Sequence, residues 1–186
     1  MSSDRFFSPG SVMRSSATVN LPIIPFALDW RLSVAATPMT PAEQLMKTVL
    51  EAWGEANLEP AHKALDEHVV WKSASTHESG VFRFGGVYEG KASVVALLSK
   101  LSTRYFFQRY EAKEIISQGE IVWGLFDVYG SYLPPGGRER DRRPFIIETA
   151  FRWRIRDGKI LEAQTFFDTA ALLAQQGEFQ SAGVGA

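Results

Sequence analysis

Asp127 is the residue of this chain best suited to proton transfer. It interrupts an otherwise apolar and aromatic run, Ile121-Val122-Trp123-Gly124-Leu125-Phe126-Asp127-Val128-Tyr129. A carboxyl group among such neighbours loses hydration, which disfavours its charged form and moves its pKa toward neutrality. If Gln118-Gly119 is a two-residue turn, Asp127 pairs with Tyr110 across a hairpin, on one face. An acid and a phenol facing one apolar cavity could then share proton transfer. The plainer alternative is a cross-strand hydrogen bond or an ion pair with Arg152 or Arg154 on a sheet surface, the usual fate of strand carboxylates. His77 lies in a Ser/Thr/Gly-rich stretch before Gly85-Gly86, a loop position near a cavity mouth. That position suits a catalytic histidine and equally an exposed one. His62 and His68 read as helix-surface and helix-end residues. Glu148 falls on the polar side of its strand, away from the core.

Other chemistries are excluded by composition. The chain has no cysteine, which removes disulfides, thiolate catalysis and cysteine-based zinc sites. Its three histidines show no metal-ligand spacing, so neither a metal nor a cofactor is expected. Among 186 residues the formal net charge is −1, so no global field draws the chain to nucleic acid or to an acidic membrane. The aromatic residues Trp71, Tyr88, Trp123, Phe151 and Trp153 are candidates to line an apolar ligand site, or simply to fill a core.

The elements that must position these residues begin at Thr40. Thr40-Pro41-Ala42-Glu43 has the form of a capping box with proline at the first helical position. Met46, Val49, Leu50 and Trp53 follow at i, i+3, i+4, i+7, one apolar helical stripe. A second helix is expected over 60–67, a third from about Gly90, and a short strand at Val69-Val70-Trp71 between them. After Thr103 the pattern changes to long strands: 105–117 and 120–133 around Gln118-Gly119, then 145–156 and 160–167 around Asp157-Gly158, the strongest hairpin signal in the chain. Asp168 reads as the cap of a short last helix. Helices first and an antiparallel meander afterwards argue for an α+β domain.

In the last hairpin, alternation conflicts with the turn. A two-residue turn sets Trp153 opposite Glu162 and Phe151 opposite Gln164, yet the apolar side of the last strand is Leu161, Ala163, Thr165 and Phe167. Either a bulge shifts the register, or both faces of the sheet are buried, one against a second subunit.

Three segments resemble the SnoaL-like polyketide cyclase family, of the nuclear-transport-factor-two-like fold. They are Glu67-His68-Val69-Val70-Trp71, then Gly86-Val87-Tyr88-Glu89-Gly90-Lys91. The third is the hairpin 151–160 followed by Phe166-Phe167-Asp168-Thr169-Ala170-Ala171-Leu172. The resemblance covers 41–176. It implies a cone in which a curved antiparallel sheet wraps three N-terminal helices, with a central pocket and a short C-terminal helix. It also implies a small hydrophobic ligand. The activities of that superfamily include cyclisation, isomerisation, dehydration and epoxide opening without a metal, and some members have no known catalysis. The carboxylate that cyclase-type members carry on the last strand falls, counted from the Asp157-Gly158 turn, on Thr165, in the run Ala163-Gln164-Thr165. Threonine cannot act as a general base near neutral pH. Gln164 and Thr165 are therefore expected as ligand contacts, and acid-base work is left to Asp127, Tyr110 and His77, or to none.

The expectations are thus a domain over 40–177, a poorly ordered extension over 1–39 and a flexible tail over 178–186. The extension holds four prolines, and Asp29-Trp30-Arg31 breaks its single apolar run, against both a membrane span and a secretory signal. A cytoplasmic homodimer, joined through the sheet and binding a small apolar molecule, is the overall expectation. A non-catalytic ligand-binding or assembly domain is the alternative.

Overall fold

The computed structural model describes residues 38–74 and 84–178. The expected extension over 1–39 and the tail over 178–186 fall, but for their innermost residues, outside that range, as does His77. The described elements run α1 (Pro41–Gly54), α2 (Glu59–Ala64), β1 (Leu65–Lys72), β2 (Val87–Glu89), α3 (Lys91–Ser102), β3 (Tyr105–Gln118), β4 (Ile121–Tyr132), β5 (Arg143–Arg156), β6 (Lys159–Phe167) and α4 (Thr169–Gln176). Among the described residues no helix is long and apolar enough to cross a membrane.

The capping box at the start of α1 forms as its sequence dictates. The Thr40 hydroxyl accepts from the Glu43 amide at 3.2 Å, and the Glu43 carboxylate accepts from the Thr40 amide at 2.8 Å. Its other oxygen accepts from the Ser117 hydroxyl at 2.7 Å, which ties the helix start to the end of β3. The stripe Met46, Val49, Leu50 and Trp53 is buried.

Helix α2 stops at Ala64, not at Glu67. Leu65 is already extended, with φ −62° and ψ 131°, and pairs with Ile160 of β6. A six-residue helix holds few internal hydrogen bonds, so burial of Leu65 in a strand outweighs another helical turn. His68 is consequently an exposed strand residue.

The six strands form one sheet in the order β2-β1-β6-β5-β4-β3. It is mixed, which corrects the antiparallel expectation: β1 runs parallel to β6, while the other neighbours are antiparallel. A parallel neighbour needs a long connection, and here everything from β2 to β5 lies between the two.

Three bulges set the faces. The first hairpin turns at Gly119-Glu120, with Gly119 at φ +59° and Gln118 opposite Ile121. Extra residues at Gln108 and Lys113 then shift β3 against β4. In the last hairpin Arg156 faces Lys159 as the turn demands, but Leu161 is extra, so Arg154 meets Glu162, Trp153 meets Ala163 and Phe151 meets Thr165. The conflict between turn and alternation is resolved by this bulge.

Inner positions of β4 and β5, such as Val122, Phe126 and Val128 or Phe145, Ile147 and Phe151, are buried with the α1 stripe in one core. Outer positions carry Trp123, Asp127, Ile146 and Glu148.

Candidate functional site

Between α1, α3 and the inner face of the sheet lies a cavity of about 80 Å³. One water needs roughly 10–15 Å³ of such space, so the cavity admits several waters or a small ring. Trp53 of α1, Leu97 and Leu101 of α3, and Tyr105, Phe107 and Tyr110 of β3 line one part. Val128, Phe145, Ile147, Thr149, Phe151, Thr165, Phe167 and Leu172 line another, with Trp71 and Ser73 at the β1 side.

The aromatic lining follows from the bulges. With Gln108 displaced, Phe107 and Tyr110 both turn inward, and their ring centroids stand 5.6 Å apart. Tyr110 stacks on Trp53 at 5.9 Å and 27°, and Trp53 meets Phe107 and Trp71 edge-on. Such pairs hold one another in fixed geometry beyond simple burial.

The cavity is uncharged. Among the described lining residues there is no carboxylate, histidine, lysine or arginine. Burial pushes the Tyr110 phenol well above its ordinary pKa. Burial also raises Tyr105, to about 12, against the Gln176 amide that donates to its hydroxyl at 3.0 Å and with added repulsion from Glu178. Both phenols therefore keep their protons at neutral pH. Among the described residues no three His, Asp or Glu side chains converge as metal ligands would.

Asp127 is elsewhere. It lies opposite Glu111 on β3 and Glu148 on β5, while Tyr110 lies opposite Val128. The expected Asp127–Tyr110 pair therefore does not form, because the turn sits one residue later than expected and the Lys113 bulge follows it. The Lys113 ammonium, placed by its bulge, is 2.8 Å from Asp127 and 2.8 Å from Glu148. These hydrogen bonds and charges raise the lysine pKa. The ion-pair alternative is what the structure holds, with Lys113 in place of the arginines.

The other expected contacts divide. Trp71, Tyr110, Phe151 and Thr165 reach the cavity. Trp153 is fully buried in the core and is not among the lining residues. Tyr88 donates to the Gly85 carbonyl at 3.1 Å at the β2 edge. Trp123 is on the outer face, 40% exposed, and stacks on Phe166. Gln164 is paired with Arg152 on that same face, where Glu162 also accepts from Lys72 and Arg152. The Lys72 hydrogen bond, with help from Arg152, holds the Glu162 carboxyl below its usual range. Thr149 was legible and passed over: strict alternation through Phe145, Ile147 and Phe151 puts it on the inner face.

Solved structures share this architecture. One is a candidate isomerase from Rhodopseudomonas palustris, 15% identical, with a TM-score of 0.63 over 76% of this chain and 100% of that one. Another is IdmH, a candidate polyketide cyclase from Streptomyces antibioticus, 20% identical, TM-score 0.58, over 74% and 99%. A third is an NTF2-like protein from Burkholderia xenovorans, 22% identical, TM-score 0.56, over 74% and 97%. At these identities the likeness is one of fold. No curated protein matches the chain by sequence. Residues 46–163 match the SnoaL-like domain, well over half the chain, and the protein belongs to the SnoaL-like family.

Proposed function

We propose that this protein binds a small hydrophobic molecule in the cavity beneath α1, and that it holds the molecule without acid-base turnover by Asp127. The observation that carries this reading is an aromatic cavity whose described lining is uncharged, while the carboxylate suited to catalysis is ion-paired on the opposite face. Trp53 and Trp71 line the cavity, so an occupant should quench tryptophan fluorescence. Saturable quenching by small aromatic molecules is expected in the native protein and is lost in Val128→Phe, which fills the space between Tyr110 and Ile147. A folded native protein that binds none of them overturns the proposal.

We further propose that the outer face of the sheet joins two copies of the chain. Trp123 and Phe166 are exposed there at 40% and 38%, around Leu125 and Ala150, and Ile146, exposed at 56%, lies beyond Glu148. Along the strands this apolar patch is flanked at one end by Arg152 and Arg154 and at the other by Asp127 and Glu148. A two-fold axis through the patch sets the arginine end of one copy against the acidic end of the other, the self-complementarity that an isologous contact requires. Light scattering at micromolar concentration should return about twice 20.7 kDa, falling to the monomer in Trp123→Asp. A native monomer counts against the interface.

A further inference from the structure

We infer that the ligand is neutral and carries an oxygen at one end, recognised by a row of hydroxyls on the sheet floor of the cavity: Ser73, Thr165 and Thr149. The inference rests on the binding reading above and names the chemical class bound.

The row is a consequence of strand register. Lys72 pairs with Gln164 at the end of β1, and the next residue of each segment, Ser73 and Thr165, lines the cavity. Thr165 faces Phe151, and Thr149 lies two residues from Phe151 on the same face, a diagonal neighbour of Thr165. All three line the cavity. Ser73 and Thr149 are buried, Thr149 to 4% exposure. None of the three hydroxyls has a hydrogen-bond partner among the described residues, and none of their oxygens is sealed away from the cavity space.

A hydroxyl that opens on an apolar space and has no protein partner can be satisfied only by what that space holds. Three on one face of an otherwise aromatic space are best satisfied by an occupant. A hydroxyl both donates and accepts, so the row suits a ketone, an alcohol or an ether oxygen. It does not suit an ion: no described lining residue offers a countercharge, and burying a lone carboxylate or ammonium is far costlier than burying a carbonyl. The remaining walls give aromatic and aliphatic contact to the rest of the molecule.

The test compares ethylbenzene, acetophenone and benzoate, three probes of similar size, by titration calorimetry and tryptophan quenching of the full chain. Acetophenone should bind the native protein about three- to tenfold more tightly than ethylbenzene, the net worth of one or two neutral hydrogen bonds. Benzoate should bind most weakly. The variant Thr149→Val/Thr165→Val keeps the shape and removes two hydroxyls. It should bind ethylbenzene at least as well as the native protein and lose the preference for acetophenone. Equal binding of ethylbenzene and acetophenone by the native protein, or a preference that survives in the variant, overturns the hydroxyl row and leaves the apolar pocket standing. Tightest binding of benzoate overturns the neutral class. Failure of all three to bind a folded native protein overturns the pocket reading itself, and this inference with it.

Discussion

Lys113 holds its ammonium 2.8 Å from the carboxylate of Asp127 on the outer face of the sheet, at a point where β3 carries one residue more than β4. The pair is partly exposed, so solvent and salt screen it. Asp127→Asn should move the melting temperature by no more than about 2 °C, less still at high salt, because exposed pairs contribute little. Ligand quenching should be unchanged. A variant that folds normally but loses binding would bring Asp127 back into the site.

Buried tyrosines give the fold an alkaline limit. The Tyr105 phenol is raised to about 12 and Tyr110 is raised as well, burial being the main cause in both. A raised phenol pKa means that the folded state keeps its proton where the unfolded chain releases it. Stability is therefore full below about pH 10, the unfolded value, and is lost as pH rises toward about 12. Urea midpoints should fall across that window, and Tyr110→Phe should soften the fall. At about pH 11 tyrosinate absorbance should be low in the native protein and jump on unfolding. A native spectrum equal to the unfolded one would contradict the burial.

The start of α1 is held by three side chains. Thr40→Ala removes the hydroxyl that caps the Glu43 amide and should cost about 0.5–2 kcal/mol in urea unfolding. Thr40→Ser should restore most of it. Equal losses in both variants would show that the methyl group matters and the cap does not.

Gly130 allows β3, β4 and β5 to close over the cavity's aromatic end. A Cβ built there would stand 2.6 Å from the Phe145 ring and 2.8 Å from the Phe106 carbonyl oxygen. The ring can turn, but the backbone oxygen of a paired strand cannot. Gly130→Ala should therefore destabilise by about 1–3 kcal/mol, as overpacking does, and weaken binding of aromatic probes. A stabilised Gly130→Ala would show that the strands have room to part.

What the sequence disclosed was whatever is decided locally. The Thr40 cap, the Met46–Trp53 stripe, the Asp157-Gly158 turn and the Asp168 cap each rest on residues within one or two turns of chain, and each appears where its pattern puts it. The parallel pairing of Leu65 with Ile160 joins segments 95 positions apart, and no local pattern announces it. Bulges were legible only as a conflict: the faces of β6 disagreed with its turn, and Leu161 is the resolution. No such conflict marked β3, where the later turn and the bulge at Lys113 turn the Asp127–Tyr110 expectation aside. Of the expected contacts, Trp71, Tyr110, Phe151 and Thr165 line the cavity, whereas Trp123 and Gln164 are on the outer face. A strand with aromatic residues on both sides gives periodicity no way to choose between them.

Leu161 makes the last strand a sentence with two frames. With the bulge, Ala163, Thr165 and Phe167 turn inward, and Glu162, Gln164 and Phe166 turn out. Deleting that one residue would leave a regular ladder in which Glu162 still meets Arg154 and Thr165 still meets Phe151, because a bulge residue is the one the pairing does without. The bulge is thus the place where the last strand can lose a codon and keep the same side chains turned to the cavity.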